Sequence, residues 1–191
     1  CGHCFAHCYS AWIWGVFSAT FYTNVRANLY LTGNASCLFL KSDHDDTYLA
    51  DKEGTDYRYE KWFKNYSAIE ASGMRCIKIL DTYELSYSTR PDTRVKGINM
   101  LRLPELYYII TEYYLSQEKQ DEAVKYFDKV LESRGLIGYA DRQGATLTLE
   151  KVIQERRKEF ICEGQYFFTQ KRYNQSIYEP KSGKLYPASN D

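Results

Sequence analysis

The strongest constraint on the fold is a pair of helical patterns between residues 101 and 134 that are separated by only about four residues. The first begins at Leu101 and has Pro104 where the first turn of a helix tolerates a missing backbone donor. The second begins at Asp121 and ends at Arg134 and Gly135, which are typical of a helix C-terminus. So short a connection predicts that the two helices pack as an antiparallel hairpin.

This hairpin is similar to a tetratricopeptide repeat. The positions at which that repeat places its large, small and aromatic packing residues are occupied by Tyr107, Ile110, Thr111, Tyr114, Ala123, Phe127 and Val130. A single unit cannot bury its own face, because stacks of this kind need about three or more units. The hairpin is therefore expected to pack on other elements.

The whole chain divides into three regions that differ in their sequence pattern, which we interpret as parts of one partial domain. Residues 1–100 carry short apolar runs between polar loops, which predicts short strands and helical turns. Residues 101–177 are helical, with a third helix that begins after the N-cap Thr148 and extends through Ile161. Residues 178–191 are predicted to be a loop-like tail.

Charge and hydropathy exclude two classes of function. The chain has 25 Lys and Arg against 25 Asp and Glu, so no net positive field favours binding to nucleic acid. The most apolar stretch, residues 11–22, is shorter than the roughly 20 residues that a membrane-spanning helix needs. The chain is rich in tyrosine, with 19 residues, and most of those in the helical region are interpreted as packing residues.

The cysteines and histidines do not predict a metal site or a cofactor. Cys1, Cys4, His7 and Cys8 are soft ligands at short spacings, but no second ligand pair follows them. The acidic cluster around His44 is interpreted as a solvated turn, since it lacks the spacing of a calcium loop. The remaining cysteines are scattered singly and indicate no disulfide framework.

Three segments carry a specific resemblance. Residues 56–63 are DYRYEKWF, residues 101–112 are LRLPELYYIITE, and residues 155–164 are ERRKEFICEG. In order and spacing these segments resemble the SusD/RagB nutrient-binding outer-membrane lipoproteins of Bacteroidetes. Many members continue after the Glu-Gly pair with an Arg, aromatics and an Asp-Leu pair before a final Arg. This chain has Tyr166 and Thr169–Gln170 instead, although Lys171–Arg172 is retained. Full members are considerably longer, so the chain resembles their C-terminal portion.

The resemblance implies a fold and a set of partners. The implied fold is mainly α, with tetratricopeptide-like helical hairpins in an α/α superhelix and a loop-rich irregular face. The implied protein is a surface-exposed lipoprotein, held at the outer membrane by a lipid anchor. It would capture a glycan, or in some members a peptide, and deliver it to a SusC-type TonB-dependent transporter. A generic tetratricopeptide adaptor for peptides is the alternative from a different class.

The charged residues of the motif segments are interpreted as structural. Glu155, Glu159 and Glu163 lie four apart on one predicted helix, whereas a glycosidase needs carboxyl groups that face each other across a bond. No other catalytic motif is recognised, so the protein is predicted not to be an enzyme. We expect Arg156 or Arg157 to bind Glu105 or Glu112 of the hairpin through a planar guanidinium. The full structural set is Arg102, Glu105, Glu112, Glu155, Arg156, Arg157, Glu163 and Gly164.

For ligand contact the sequence indicates two tryptophans. Sugars stack their C–H faces on aromatic rings, so aromatics in the loop-rich first half are the candidates. Trp12 and Trp14 alternate across Ile13 and would share one face of a strand, although burial in a core is the alternative. Trp62 is interpreted as structural because it belongs to a segment that the family has in common.

Overall fold

The computed structural model describes residues 12–17, 48, 54–67, 72–78, 97–179 and 182–188. Within these ranges the α-helices are α1 (Tyr57–Trp62), α2 (Leu103–Ser116), α3 (Gln120–Ser133), α4 (Leu149–Glu159) and α5 (Tyr166–Arg172). A short 3₁₀ helix is formed by Tyr139–Asp141. The strands are β1 (Trp12–Phe17), β2 (Phe63–Ser67), β3 (Ser72–Cys76), β4 (Gly97–Arg102), β5 (Ile177–Glu179) and β6 (Lys184–Tyr186). They pair antiparallel as β1–β4, β2–β3 and β5–β6. The prediction of a mainly helical fold is confirmed.

The predicted helical hairpin is present as α2 and α3. Their facing side chains Tyr108, Ala123 and Phe127 are completely buried, and the rings of Tyr114 and Tyr126 stack with centroids 5.7 Å apart. Burial of side chains of this size stabilises the fold by roughly 1.5–3 kcal/mol each. The small side chain of Ala123 lets the two helices approach closely.

The hairpin does pack on other elements, as the sequence predicts. Val152 of α4 and Phe160 just beyond it belong to the same buried cluster as Tyr108, and the Tyr108 and Phe160 rings meet edge to face with centroids 6.1 Å apart. Leu147 closes the cluster from the segment that precedes α4. The principal core of the described residues is therefore built between the hairpin and α4.

Helix α4 begins where expected and ends earlier than expected. The Thr148 hydroxyl accepts a hydrogen bond from the Lys151 backbone N–H at 3.4 Å, which is the predicted N-cap. The helix ends at Glu159, not at Ile161 as its apolar pattern predicts. The backbone then turns through left-handed conformations at Cys162 (φ 62°) and Gly164 (φ 73°), which a helix cannot contain.

The segment before α1 lies directly against the end of α3. The Thr55 N–H donates to the Gly135 carbonyl at 3.2 Å and the Tyr57 N–H donates to the Arg134 carbonyl at 2.9 Å. Gly135 has φ 83°, and a Cβ atom there would lie 2.5 Å from the Thr55 carbonyl oxygen. This close backbone approach fixes α1 beside the hairpin.

Two further expectations are wrong, one about the tail and one about a tyrosine of α2. The tail contains β5 and β6, which pair from Ile177 with Tyr186 to Glu179 with Lys184 across a turn that includes Gly183 at φ 68°. Tyr113, expected to pack within the helices, is 60% exposed, because it lies on the α2 face that turns away from α3.

Candidate functional site

Three of the eight predicted structural residues, Arg102, Glu155 and Glu163, meet in one buried group of charges around Glu159. We call this group the Glu159 network; its members are Asp56, Arg58, Lys78, Arg102, Arg134, Glu155, Lys158, Glu159 and Glu163. They come from α1, the end of β3, β4, the end of α3, and α4 with the turn that follows it.

Glu159 lies at the centre and is completely buried. Arg134 binds its carboxylate in a bidentate manner, donating from Nε to Oε2 at 2.9 Å and from Nη2 to Oε1 at 2.8 Å. Arg102 donates from Nη1 to Oε1 at 2.9 Å and from Nη2 to the Glu159 carbonyl at 3.0 Å. Charge-assisted, bidentate contacts of this kind are the stronger hydrogen bonds of proteins.

Arg58 joins α1 to α4 from the other side of the network. Its guanidinium donates to both carboxylate oxygens of Asp56, at 2.8 and 2.7 Å, and to Glu155 Oε2 at 2.7 Å. Asp56 also caps α1 by accepting from the Arg58 N–H at 3.0 Å. Glu155 is bound in addition by Lys158 Nζ at 2.6 Å.

Glu163 holds the turn after α4 to the strands. Its Oε1 lies 2.6 Å from Lys78 Nζ and 2.9 Å from Arg102 Nη2. Lys78 also donates to the Glu159 carbonyl, and its ammonium lies 4.0 Å from the centre of the Trp62 ring. Trp62 thus packs on the network, which fits its interpretation as a structural residue.

Burial and charge act against each other on the acidic groups. Burial by itself raises the pKa of Glu159, but Arg134, Arg102 and Lys78 outweigh it and hold the pKa well below its ordinary value of 4.5. The pKa of Glu155 is likewise lowered, because Arg58 and Lys158 outweigh burial. Burial lowers the pKa of Lys78 in spite of Glu163.

The two carboxylates at the centre of the network, Glu155 and Glu159, are enclosed and already engaged by cations. Neither is placed to exchange a proton readily with a bound molecule. What this arrangement can do is join four segments that are distant in the sequence to the last turn of α4. A structural role for Glu155 and Glu163 stays a prediction that this geometry supports.

Outside the network, one of the predicted arginine–glutamate pairs is present, and Glu112 and Arg157 have other partners. Arg156 Nη2 lies 2.7 Å from Glu105 Oε1, which is one of the pairings that the sequence predicts. Glu112, in contrast, is bound by Arg172 and by the Tyr173 hydroxyl, and burial together with this hydrogen bond raises the pKa of Tyr173. Arg157 places its guanidinium 4.9 Å from the centre of the Tyr166 ring.

Sequence reasoning did not single out five of the nine network residues, namely Asp56, Arg58, Lys78, Arg134 and Lys158. Lys78 lies in a stretch with no clear periodicity, and Arg134 was explained by its place at the end of α3. Arg58 and Asp56 lie within a recognised motif, but nothing in the spacing showed that they face Glu155. The available signal was the row of glutamates on α4, because three buried carboxylates require cations from elsewhere.

The predicted ligand residues lie in β1, which has an exposed apolar surface. We call this the β1 surface; it consists of Ile13, Trp14 and Val16 of β1 and Met100 of β4, all exposed. Trp14 is 60% exposed, so it is not a core residue of this structure. The pairing register shifts between Trp12 and Trp14, so regular alternation does not hold there. The Trp12 side chain lies outside what the structure describes.

A cavity of about 470 Å³ opens beside the connection between α2 and α3. Its described lining includes Leu115, Glu118, Gln120 and Leu147 but no aromatic side chain. Glu112 also lines it, and that carboxylate is already bound to Arg172. We therefore favour the β1 surface as the ligand site.

Neither a metal-binding cluster nor a membrane-spanning helix is present among the described residues. No group of three or more His, Cys, Asp and Glu side chains is arranged there to hold a metal ion. The Cys and His cluster of residues 1–8 and the acidic residues around His44 lie outside the described ranges. No helix in the described part of the chain is both long and apolar enough to cross a membrane.

Comparisons with known proteins identify related sequences and folds. The model of the SusD family matches residues 9–187. The crystal structure of a SusD-like carbohydrate binding protein from Bacteroides vulgatus aligns with a TM-score of 0.63 at 19% identity, covering 88% of this chain and 35% of its own. That of a SusD superfamily protein from Bacteroides thetaiotaomicron aligns with a TM-score of 0.63 at 21% identity, covering 88% of this chain and 39% of its own. That of a putative sugar binding protein from Bacteroides vulgatus aligns with a TM-score of 0.52 at 20% identity, covering 73% of this chain and 28% of its own.

These structures share the fold, and this chain spans well under half the length of each of them. No curated protein sequence matches the chain.

Proposed function

The chain belongs to the SusD family, and from this premise we propose that it is part of a protein that binds nutrient oligosaccharides or polysaccharides. The observation that carries the proposal is the family match over residues 9–187, which includes all three motif segments and β1. Two of the solved structures that share the fold are described as a carbohydrate binding protein and as a putative sugar binding protein. Both descriptions support a sugar as the ligand class.

The β1 surface supports the same ligand class on physical grounds. An exposed indole ring offers a flat apolar face on which the C–H groups of a sugar can stack. Water covers that face in the free protein, and a ligand would release it. We propose Trp12 and Trp14 as the contact residues, with Trp14 the better supported because its ring is exposed.

We further propose that the whole protein acts by capture and not by catalysis. In this proposal it is a lipoprotein on the outer-membrane surface, and it passes its glycan to a SusC-type TonB-dependent transporter. The family membership supports the location and the partner. The engagement of Glu155, Glu159 and Glu163 by cations supports a non-enzymatic role, because none of these carboxylates is available as an acid or base.

The proposal predicts that Trp14→Ala in the full-length protein weakens glycan binding. Removal of a stacking ring at a contact hot spot costs more than about 1 kcal/mol, which is at least about a fivefold rise in Kd. A glycan array identifies the ligand, and isothermal titration of the wild type and the variant measures the change. The matched control is Phe168→Ala, which removes an exposed aromatic ring of α5 and should leave Kd unchanged.

Two outcomes would count against this function. If the full-length protein bound no glycan but bound peptides tightly, the peptide-binding or adaptor alternative would replace it. If glycans bound equally well to the wild type and to Trp14→Ala, the β1 surface would not be the site, although the ligand class would stand.

A further inference from the structure

Two cysteines that are far apart in the sequence meet beside the Glu159 network. Cys76 is the last residue of β3 and is buried, and Cys162 lies half-buried in the turn after α4. Both are free thiols. They belong to one apolar cluster with Tyr48 and Phe63, in which the half-buried Cys162 packs against the buried members.

This meeting does not depend on the cysteines themselves. Lys78, two residues after Cys76, binds Glu163, the residue after Cys162, at 2.6 Å. The Ile77 N–H donates to the Trp62 carbonyl at 2.6 Å, and Cys76 is paired with Phe63 across the β2–β3 ladder. Each cysteine is therefore fixed by neighbours that are themselves tied together, and the two residues are held in one cluster before any bond forms between them.

We propose that Cys76 and Cys162 form a disulfide that fastens the β2–β3 hairpin to the turn after α4. The bond requires the two sulfurs to approach to about 2.05 Å, which the packing of both residues in one cluster favours. Holding two reacting groups together in this way raises their effective concentration greatly. Cell surfaces and the periplasm are oxidising compartments in which such bonds persist.

The two thiols are suited to different parts of the reaction. The hydrogen bond from Cys162 lowers the pKa of the Cys76 thiol, with Lys78 adding to the effect against burial. The same contact, together with burial, raises the pKa of the Cys162 thiol. Cys76 is therefore the more readily ionised of the two, whereas Cys162 is the less buried residue and the easier one for an external oxidant to reach.

The reaction uses a small-molecule disulfide such as oxidised glutathione as the oxidant. The Cys162 thiol passes its proton to Cys76 as its sulfur attacks one sulfur of the oxidant; the S–S bond of the oxidant breaks, and half of it leaves as a thiolate that takes this proton from Cys76. The Cys76 thiolate then attacks the Cys162 sulfur, the mixed disulfide breaks, and the second half leaves as a thiolate that takes up a proton. Both cysteine sulfurs are oxidised, the oxidant is reduced to two thiols, and the two cysteine protons pass to the leaving groups.

The test is peptide mapping of the full-length protein by mass spectrometry. Protein incubated with oxidised glutathione is alkylated at its remaining thiols and digested with and without a reductant. We expect a peptide pair linked through Cys76 and Cys162, lower in mass by two hydrogen atoms than its reduced halves, which disappears with the reductant. Both cysteines alkylated after oxidation, or linked to glutathione or to other cysteines, would overturn the proposal.

A second measurement reports the effect of the bond on the fold. Closing a long loop should make Tm of the oxidised protein at least about 3 °C higher than that of the reduced protein. Cys76→Ser and Cys162→Ser should each abolish this difference, whereas Cys37→Ser, which removes a cysteine outside the pair, should retain it. If a serine variant fails to fold, the mapping of the wild type still decides the question. None of these readouts depends on the ligand, so the failure of the glycan proposal would leave them unaffected.

Discussion

At the scale of single residues, Glu159 is the position on which most contacts depend. Its buried carboxylate accepts hydrogen bonds from two arginines. Arg58 Nη1 lies 3.6 Å from the Glu159 Oε2 atom. A buried ion pair adds little net stability compared with an apolar replacement, but removing one partner leaves the other charge buried and unpaired. The network is therefore sensitive to single substitutions.

We predict that Glu159→Gln destabilises the full-length protein by about 3–5 kcal/mol, because Arg134 and Arg102 would then lie buried opposite a neutral group. Urea denaturation measures the difference. Glu150→Gln is the matched control, since it makes the same chemical change on the exposed first turn of α4. Its cost should stay within about 0.5 kcal/mol. Equal effects of the two substitutions would show that the network does not hold the fold.

At the scale of elements, the three longest helices were predictable, whereas α1, α5 and most strands were not. The steps of three and four residues around Tyr107 and Phe127, and the cap at Thr148, mark α2, α3 and α4 because helix periodicity and capping are local properties of a sequence. Some strands pair with the next strand in the sequence, whereas β1 pairs with the distant β4. Short apolar runs do not specify which strand will be the partner. The early end of α4 depends on the left-handed turn at Cys162, where the sequence offers no glycine.

The junction between α1 and α3 gives a test at this scale. We predict that Gly135→Ala destabilises the protein by at least about 2 kcal/mol, because an alanine there combines a left-handed φ with a backbone clash against Thr55. The matched control is Gly144→Ala, whose φ is 70° but whose added Cβ meets nothing within 4 Å. That variant should cost about 1–2 kcal/mol from conformation alone. Thermal unfolding compares the two, and an equal cost would mean that α1 can move away from the hairpin without loss.

At the scale of the whole molecule, the site was less predictable than the fold. The motif segments carry the family resemblance because their order and spacing are visible in the sequence. The contacts among Arg58, Lys78, Arg134 and Glu159 are not, since each residue is brought in by a different element and no spacing rule joins them. The same holds for the exposure of Trp14, which the packing around β1 determines and the sequence leaves open.

The lowered pKa values predict how the stability of the whole molecule varies with pH. Glu155 and Glu159 have pKa values in the folded state below the ordinary 4.5, so the folded protein binds fewer protons than the unfolded chain as the solution is acidified. Their contribution is fully present above about pH 4.5 and is lost as the pH falls from there through the folded-state values. Urea midpoints measured between pH 7 and pH 3 should fall in the acid range, and the fall should be smaller in Glu159→Gln. An identical pH profile in that variant would contradict the prediction.

The arrangement around Glu159 also bears on the order in which the chain is made. A ribosome synthesises Arg58, Lys78, Arg102 and Arg134 before it reaches residues 155–163, which supply three of the carboxylates that neutralise them. Until those residues have emerged, the four cations are better hydrated than buried, and α1, β3 and β4 gain little by docking on the finished hairpin. The hairpin has mainly local contacts and can form early in synthesis, whereas the rest of the fold must wait for the end of α4.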